Sequence, residues 1–264
     1  MKKMIDIIVA NPSGNITIFV KTPCPRSEYQ NIAGQLLAME ELKGEQVGFM
    51  LPNPEVPGID GAMEMCGLEF CGNASRSFGL ILAAEAGDTG TAVKTVQVSG
   101  CDYPLQVEVD MDMNGAKIRM PNPVSCEKKS ECTIVDFGGI LHVIVEDLPA
   151  EQEIFDMMRE RVYSQLNPPA MGVMFWNTEE KKMTPVVYVK DVDSVYWEGS
   201  CGSGTTAMAA ALAMGREDGT YSWSIPQPAG TIDATVVVKD GAVAEIYIDS
   251  PVELGLVQSV EVEV

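Results

Sequence analysis

Two long stretches of the chain carry the same order of apolar and polar positions. The first begins at Asn73 with NASRSFGLILAAEA and stops at Gly87; the second begins at Ser203 with SGTTAMAAALAM and stops at Gly215. Both runs predict helices of about four turns, each closed by the glycine that commonly ends a helix. The stretch 205–214, built from Ala, Met and Leu after Thr205 and Thr206, has no charged face, which suits burial inside a sheet. The other, with Phe78, Ile81 and Leu82, is nearly as apolar. Behind each helix follow a polar turn (GDTG; REDGT), an alternating strand (VKTVQV; YSWSI), a glycine-containing bend (Ser99-Gly100; Ala229-Gly230) and a second strand (PLQVEVDM; IDATVVVK). Asn114-Gly115 and Asp240-Gly241, the strongest hairpin signals in the chain, then lead into last strands ending at Pro123-Val124 and Pro251-Val252.

Agreement in that order, over spans of nearly equal length, predicts an α+β protein of two pseudo-symmetric halves. Each half is expected to be a curved, mostly antiparallel sheet or barrel around its central helix. Residues 1–122 would form the N-terminal half, carrying Cys71, and 133–264 the C-terminal half, carrying Cys201. Residues 123–132, within the polar stretch NPVSCEKKSEC, would link them, with the last strand or strands free to cross over.

Composition removes several classes of function. With 18 Lys and Arg against 38 Asp and Glu, the net charge of the 264 residues is −20. No basic cluster offsets it, so nucleic acid and anionic lipid surfaces are not expected partners. No stretch approaches the ~18 uninterrupted apolar residues of a membrane-spanning helix. Met1-Lys2-Lys3 is followed by a short apolar run broken at Asp6, with no small-residue cleavage site, so the cytoplasm is the expected location. The seven cysteines are odd in number and contain no C-x-x-C, which predicts free thiols. The single histidine, His142, follows Phe137-Gly138-Gly139 on an apolar strand and reads as a core residue. A His-rich metal site is excluded by count. Acid–base chemistry is left to carboxylates, Lys, Tyr or Cys.

In both halves a cysteine stands where a strand gives way to a helix: Phe70-Cys71-Gly72-Asn73-Ala74 and Ser200-Cys201-Gly202-Ser203-Gly204. Asn73 and Ser203 fall near the expected capping position. The unpaired N–H groups of a first helical turn attract an anion and lower a nearby thiol's pKa from about 8.5. Gly72 and Gly202 let a ligand approach the backbone. If the halves face each other, a carboxylate held by both helix ends would have its α-proton acidified, one thiolate could remove that proton, and the opposite thiol could return one to the other face. Cys24, Cys66, Cys101, Cys126 and Cys132 lack such equivalence and read as structural, as do the sixteen methionines.

The paired motifs, together with Asn11-Pro12-Ser13-Gly14-Asn15, Glu45-Gln46-Val47-Gly48-Phe49, Val98-Ser99-Gly100-Cys101, Trp197-Glu198 and Gln227-Pro228, resemble the diaminopimelate epimerase superfamily of cofactor-independent racemases and epimerases. Within it they are similar to the histidine racemase branch of opine-metallophore pathways. The resemblance covers essentially the whole chain. It implies Cys71 and Cys201 as the acid/bases, and the N–H groups of Gly72, Asn73, Gly202 and Ser203 as holders of the α-carboxylate. It also implies Asn15 and Gln46 as lining residues, and no cofactor or metal. Glu45 is a candidate partner for an imidazole or another polar side chain, Glu64 a weaker one, and Glu198 a candidate for the substrate ammonium. The chain departs from diaminopimelate epimerase at Gly139-Ile140-Leu141-His142, Met171-Gly172-Val173 and Trp197-Glu198-Gly199-Ser200, where that enzyme's asparagines and arginine are missing. A second zwitterion would lose its partners there.

The leading expectation is a racemase interconverting L- and D-histidine, or a closely similar amino acid, without pyridoxal phosphate or metal and with that small-molecule substrate as its partner. Diaminopimelate epimerase, a racemase of another amino acid, a thiol redox sensor and an amino-acid-binding protein stay open beside it. Homodimers are common in the superfamily, and nothing in this sequence demands one.

Overall fold

The computed structural model describes residues 2–52 and 57–264. In chain order the first stretch forms β1 (Lys2–Asn11), β2 (Thr17–Val20), α1 (Tyr29–Leu37), β3 (Gln46–Met50), β4 (Gly61–Met65), α2 (Gly72–Ala86), β5 (Thr91–Val98), β6 (Leu105–Asp110) and β7 (Gly115–Met120). Next come β8 (Ser125–Lys128), β9 (Thr133–Asp136), β10 (Ile140–Glu146), α3 (Gln152–Gln165), β11 (Ala170–Asn177), β12 (Lys182–Val189) and β13 (Ser194–Trp197). The chain ends with α4 (Gly202–Ala213), β14 (Gly219–Pro226), β15 (Thr231–Lys239), β16 (Ala242–Pro251), β17 (Glu253–Leu254) and β18 (Gln258–Glu263). No helix among the described residues is long and apolar enough to cross a membrane.

The fold is α+β and divides into two units. One comprises Met1–Arg119 with Asp249–Val264, the other Met120–Ile248. These boundaries differ from the sequence expectation at 123–132, where β8 pairs antiparallel with β9 from Ser125↔Asp136 to Lys128↔Thr133. An edge strand can be polar on both faces and still be held by its backbone bonds, so SCEK reads as linker while folding as strand. The C-terminal strands return to the first unit, where both β17 and β18 pair with β1.

Within each unit the repeat is longer than the sequence revealed. In the first, β2 and β3 are parallel with α1 between them, β4 follows antiparallel, and α2 leads into the meander β5-β6-β7. In the second, β10 and β11 are parallel with α3 between them, β12 follows antiparallel, and α4 leads into the meander β14-β15-β16.

Side-chain parity explains how the helices are seated. β10 and β11 are apolar almost throughout because both faces are covered. Val143, Val145, Val173 and Phe175 pack with Phe155 and Met158 of α3. Ile144, Met174 and Trp176 pack instead with Ala207, Met208 and Ala210 of α4. β15 adds the other wall of α4, directing Ala234, Val236 and Val238 at it in strict alternation. Being covered on several sides, α4 needs no polar face, which accounts for its composition.

The two hairpins differ. Asp240 and Gly241 form a two-residue turn, both at positive φ (54° and 72°). Between β6 and β7 the loop runs over four residues, 111–114, since Asp110 pairs with Gly115, and only Asn114 is left-handed there. The Asp110 carboxylate accepts from the N–H groups of Asp112 and Met113, which stabilises the longer loop.

Candidate active site

In the first unit the site follows from the parity of β2 and β3. Val47 and Phe49 belong to the core around α1, as do Ile18 and Val20. Their neighbours Gln46 and Thr17, paired across the two strands, therefore lie on the opposite face, the one on which Phe19 stacks on Phe78 of α2. That places both polar side chains by the start of α2.

Cys71 is the N-cap of α2, with φ −130° and ψ 112°, and its sulfur accepts a bond from the N–H of Ala74 at 3.4 Å. Cysteine thus occupies the capping position expected for Asn73, which lies inside the first turn. The Gln46 amide stands 3.3 Å from the same sulfur. Asn15 Oδ1 accepts from Gln46 Nε2 (2.8 Å) and Asn73 Nδ2 (3.2 Å), while Asn15 Nδ2 donates to Glu45 at 3.0 Å. Gln46 Nε2 also reaches Thr17 Oγ1 at 2.8 Å. Asn15, Glu45, Gln46, Cys71 and Asn73 are thereby brought into one hydrogen-bonded set. Burial pushes the Glu45 carboxyl up, against the opposing bond from Asn15.

In the second unit Cys201 is the N-cap of α4 with nearly the same backbone, φ −130° and ψ 114°, and its sulfur accepts from the N–H of Gly204 at 3.2 Å. Ser203, the expected cap, stands in the first turn with Oγ 3.4 Å from that sulfur. A closed ring clamps the Cys201 main chain. Gln227 accepts from its N–H (2.7 Å) and donates to Thr205 Oγ1 (2.9 Å), which in turn donates to the Cys201 carbonyl (2.7 Å). Burial, followed by the charge and hydrogen bond of Glu198, pushes the Cys201 thiol well above its ordinary value.

His142 shares the parity of Ile144 and so faces α4, where its Nε2 lies 3.0 Å from Ser203 Oγ. Its strand partner is Gly172, and a Cβ there would fall 2.4 Å from His142 Nδ1. This pair faces the cysteine helix of its unit, as Thr17 and Gln46 do in the first. His142 is therefore more than core filling: it touches the residue that touches Cys201, while its Nδ1 is buried without a hydrogen-bond partner.

Burial holds the His142 imidazole down to about 3, so it is neutral near pH 7. Between that value and about 6.5 the unfolded chain binds a proton that the folded chain does not. Acidification through this window therefore removes stability, by on the order of 1.4 kcal/mol per pH unit at most. Urea unfolding across the window should show the midpoint falling more steeply for the natural protein than for His142→Gln.

Glu64 is not brought to the site. It is buried in an ion pair with Arg26 and accepts from the Tyr29 hydroxyl at 3.2 Å. Burial, with the nearby Glu64 charge, pushes that phenol up to about 12. Cys24 and Cys66 pack at the margin of the α1 core, and Cys126 lies 3.3 Å from Met214 Sδ. Sequence reasoning missed Thr17 and the roles of Thr205 and Gln227, which it had only as parts of motifs. Strand parity was the one signal that could have aimed Thr17 and His142 at the cysteine helices.

Each cysteine helix offers the first-turn N–H groups of its two leading residues, Gly72 and Asn73 or Gly202 and Ser203, as donors with no acceptor inside the helix. Such an arrangement binds a carboxylate and stabilises negative charge developing on it.

The family model described as the histidine racemase CntK N-terminal domain matches residues 4–257. A curated histidine racemase of Fusobacterium nucleatum subsp. nucleatum is 32% identical over 265 residues, covering 96% of this chain and 95% of its own. Among solved structures, a PhzF-family phenazine biosynthesis protein of Bacillus anthracis is similar with a TM-score of 0.70 at 15% identity, covering 99% of this chain and 100% of the other. A hydroxyproline epimerase from Agrobacterium vitis is similar with a TM-score of 0.68 at 12% identity, over 98% and 92% of the two chains. At such identities the likeness to the solved structures is one of fold.

Proposed function

From the premise that the chain belongs to the histidine racemase CntK family, and is an isomerase acting on amino acids, we propose that it interconverts L- and D-histidine with Cys71 and Cys201 as its two proton-transfer groups. A thiolate takes the α-proton, so that an S–H bond forms as the C–H bond breaks, and the electron pair spreads into the carboxylate as an enediolate. The other thiol gives its proton to the opposite face, leaving the mirror-image amino acid and an enzyme with its two sulfur protonation states exchanged. Neither pyridoxal phosphate nor a metal is required by these steps. The N–H groups of Gly72, Asn73, Gly202 and Ser203 hold the carboxylate where charge grows.

The observation that carries this reading is the matched pair of cysteine N-caps, alike in φ and ψ and each with its sulfur on the third N–H of a helix. Glu45, drawn onto Asn15, is the acceptor assigned to the substrate imidazole, and Glu198 to its ammonium. The absence of an arginine beside Glu198, where Trp197 and Gly199 stand, favours a substrate with one zwitterionic centre.

Incubation of the protein with L-histidine in D₂O tests the proposal. D-Histidine and α-deuterium should accumulate together, as read by chiral chromatography and NMR. Absence of both, with a panel of other amino acids also unchanged, would reject racemisation; turnover of a different amino acid alone would move the substrate and keep the chemistry.

A further inference from the structure

Arg76 lies five residues beyond Cys71 and is completely buried in α2. A buried guanidinium is costly unless its charge is used or paired. Its Nε donates to Asn73 Oδ1 at 3.2 Å and its Nη1 to the Ser250 carbonyl at 2.8 Å, while Nη2 is buried without a hydrogen-bond partner. Asn73 in turn donates to Asn15, which also holds Gln46, the residue whose amide stands against the Cys71 sulfur. The guanidinium is therefore wired to the thiol through three amides, Asn73, Asn15 and Gln46, and fixed by the backbone of 250.

We propose that Arg76 is a positioning residue that keeps Cys71 as the resting thiolate, so that the free protein holds a base at Cys71 and an acid at Cys201. The inference rests on the two-cysteine reading above. Among the described residues, the charged and titratable groups acting on the guanidinium are Asp249 and Cys71, and the Glu45 carboxylate joins the amide network between them through Asn15. Burial lowers the arginine to about 10, which leaves it charged near pH 7, while Asp249 and then Cys71 act in the other direction. That attraction is mutual: a sulfur anion that favours the charged arginine is itself favoured by it. At Cys201 the balance is the reverse: burial and then the Glu198 carboxylate favour the protonated thiol, and among the described residues no cation acts against them.

The test is the pH profile of iodoacetamide alkylation at Cys71, resolved by peptide mass spectrometry on the full chain. Replacing Arg76 by Gln should raise the Cys71 midpoint by at least about one pH unit, a tenfold slower reaction below it. Arg76→Lys should restore most of the shift. Asp249→Asn, which removes a neutralising charge, should move the midpoint down and decides the matter if Arg76→Gln does not fold. A merely structural arginine would leave the folded variants' midpoints where they were, and that result overturns the proposal. Because alkylation needs no substrate, a protein that fails to racemise histidine but shows these shifts would sink the functional reading and leave Arg76's role standing.

Discussion

Replacing either Cys71 or Cys201 by serine should abolish racemisation of histidine, lowering kcat by about 10³-fold or more, with the fold unharmed. An alcohol is a far weaker acid than a thiol, so serine supplies neither a base nor a ready proton near pH 7. The same substitution suits the local structure. Serine is a preferred N-cap, and its Oγ can accept the N–H bonds that Ala74 and Gly204 now make to sulfur. Urea midpoints should therefore match the natural protein, separating lost chemistry from lost folding. The two variants should also differ from each other. In Cys201→Ser the base at Cys71 remains, and one enantiomer of histidine should slowly exchange its α-proton for deuterium without inverting. In Cys71→Ser the remaining sulfur is the one that burial and Glu198 keep protonated, so exchange should be slower still. Turnover at the natural rate in either variant would show that the acid/base had been assigned to the wrong sulfur.

The second half of each repeat was legible in the sequence because its signals are local: a cysteine and glycine at a helix start, a glycine after the helix, alternating strands and a turn dipeptide. The first half was not. α1 and α3 bury residues at the same spacing, Tyr29, Ile32 and Leu36 against Phe155, Met158 and Val162, but any amphipathic helix has that spacing, and their parallel flanking strands are what make them equivalent. The site divides in the same way. Asn15, Gln46, Asn73 and Cys71 could be named from motifs, yet that they form one hydrogen-bonded set depends on which face of β3 Gln46 occupies. His142 was read as core because an apolar strand surrounds it. That burial holds, since His142 is fully buried, but the reading did not give its face: Leu141 and Val143 face α3, so the residue between them must face α4 and Ser203.

Gly100→Ala should be the most damaging small substitution near the site, and Gly87→Ala is its control. Both glycines hold the left-handed backbone, at φ +69° and +73°. That conformation alone costs a non-glycine residue roughly 1–2 kcal/mol. A Cβ on Gly87 would meet nothing within 4 Å, so its replacement should cost about that much. On Gly100 the Cβ would lie 2.3 Å from the backbone nitrogen of Phe70 and 2.7 Å from the carbonyl carbon of Glu69. These are main-chain atoms and cannot rotate aside. Adjacent Ser99 ties the loop to the same segment, donating to the Glu69 carbonyl at 2.8 Å and accepting from the Met65 N–H at 2.9 Å. Strain and overpacking together should bring the loss to about 3–5 kcal/mol. Relief of the clash must displace Glu69 and Phe70, and the next residue is Cys71. The folded fraction of Gly100→Ala should therefore lose kcat as well, whereas Gly87→Ala, at the far end of α2, should keep it. Urea midpoints and kcat measured side by side separate the two effects. Equal behaviour of the variants would mean that the 99–100 loop yields freely and that Cys71 is not held from that side.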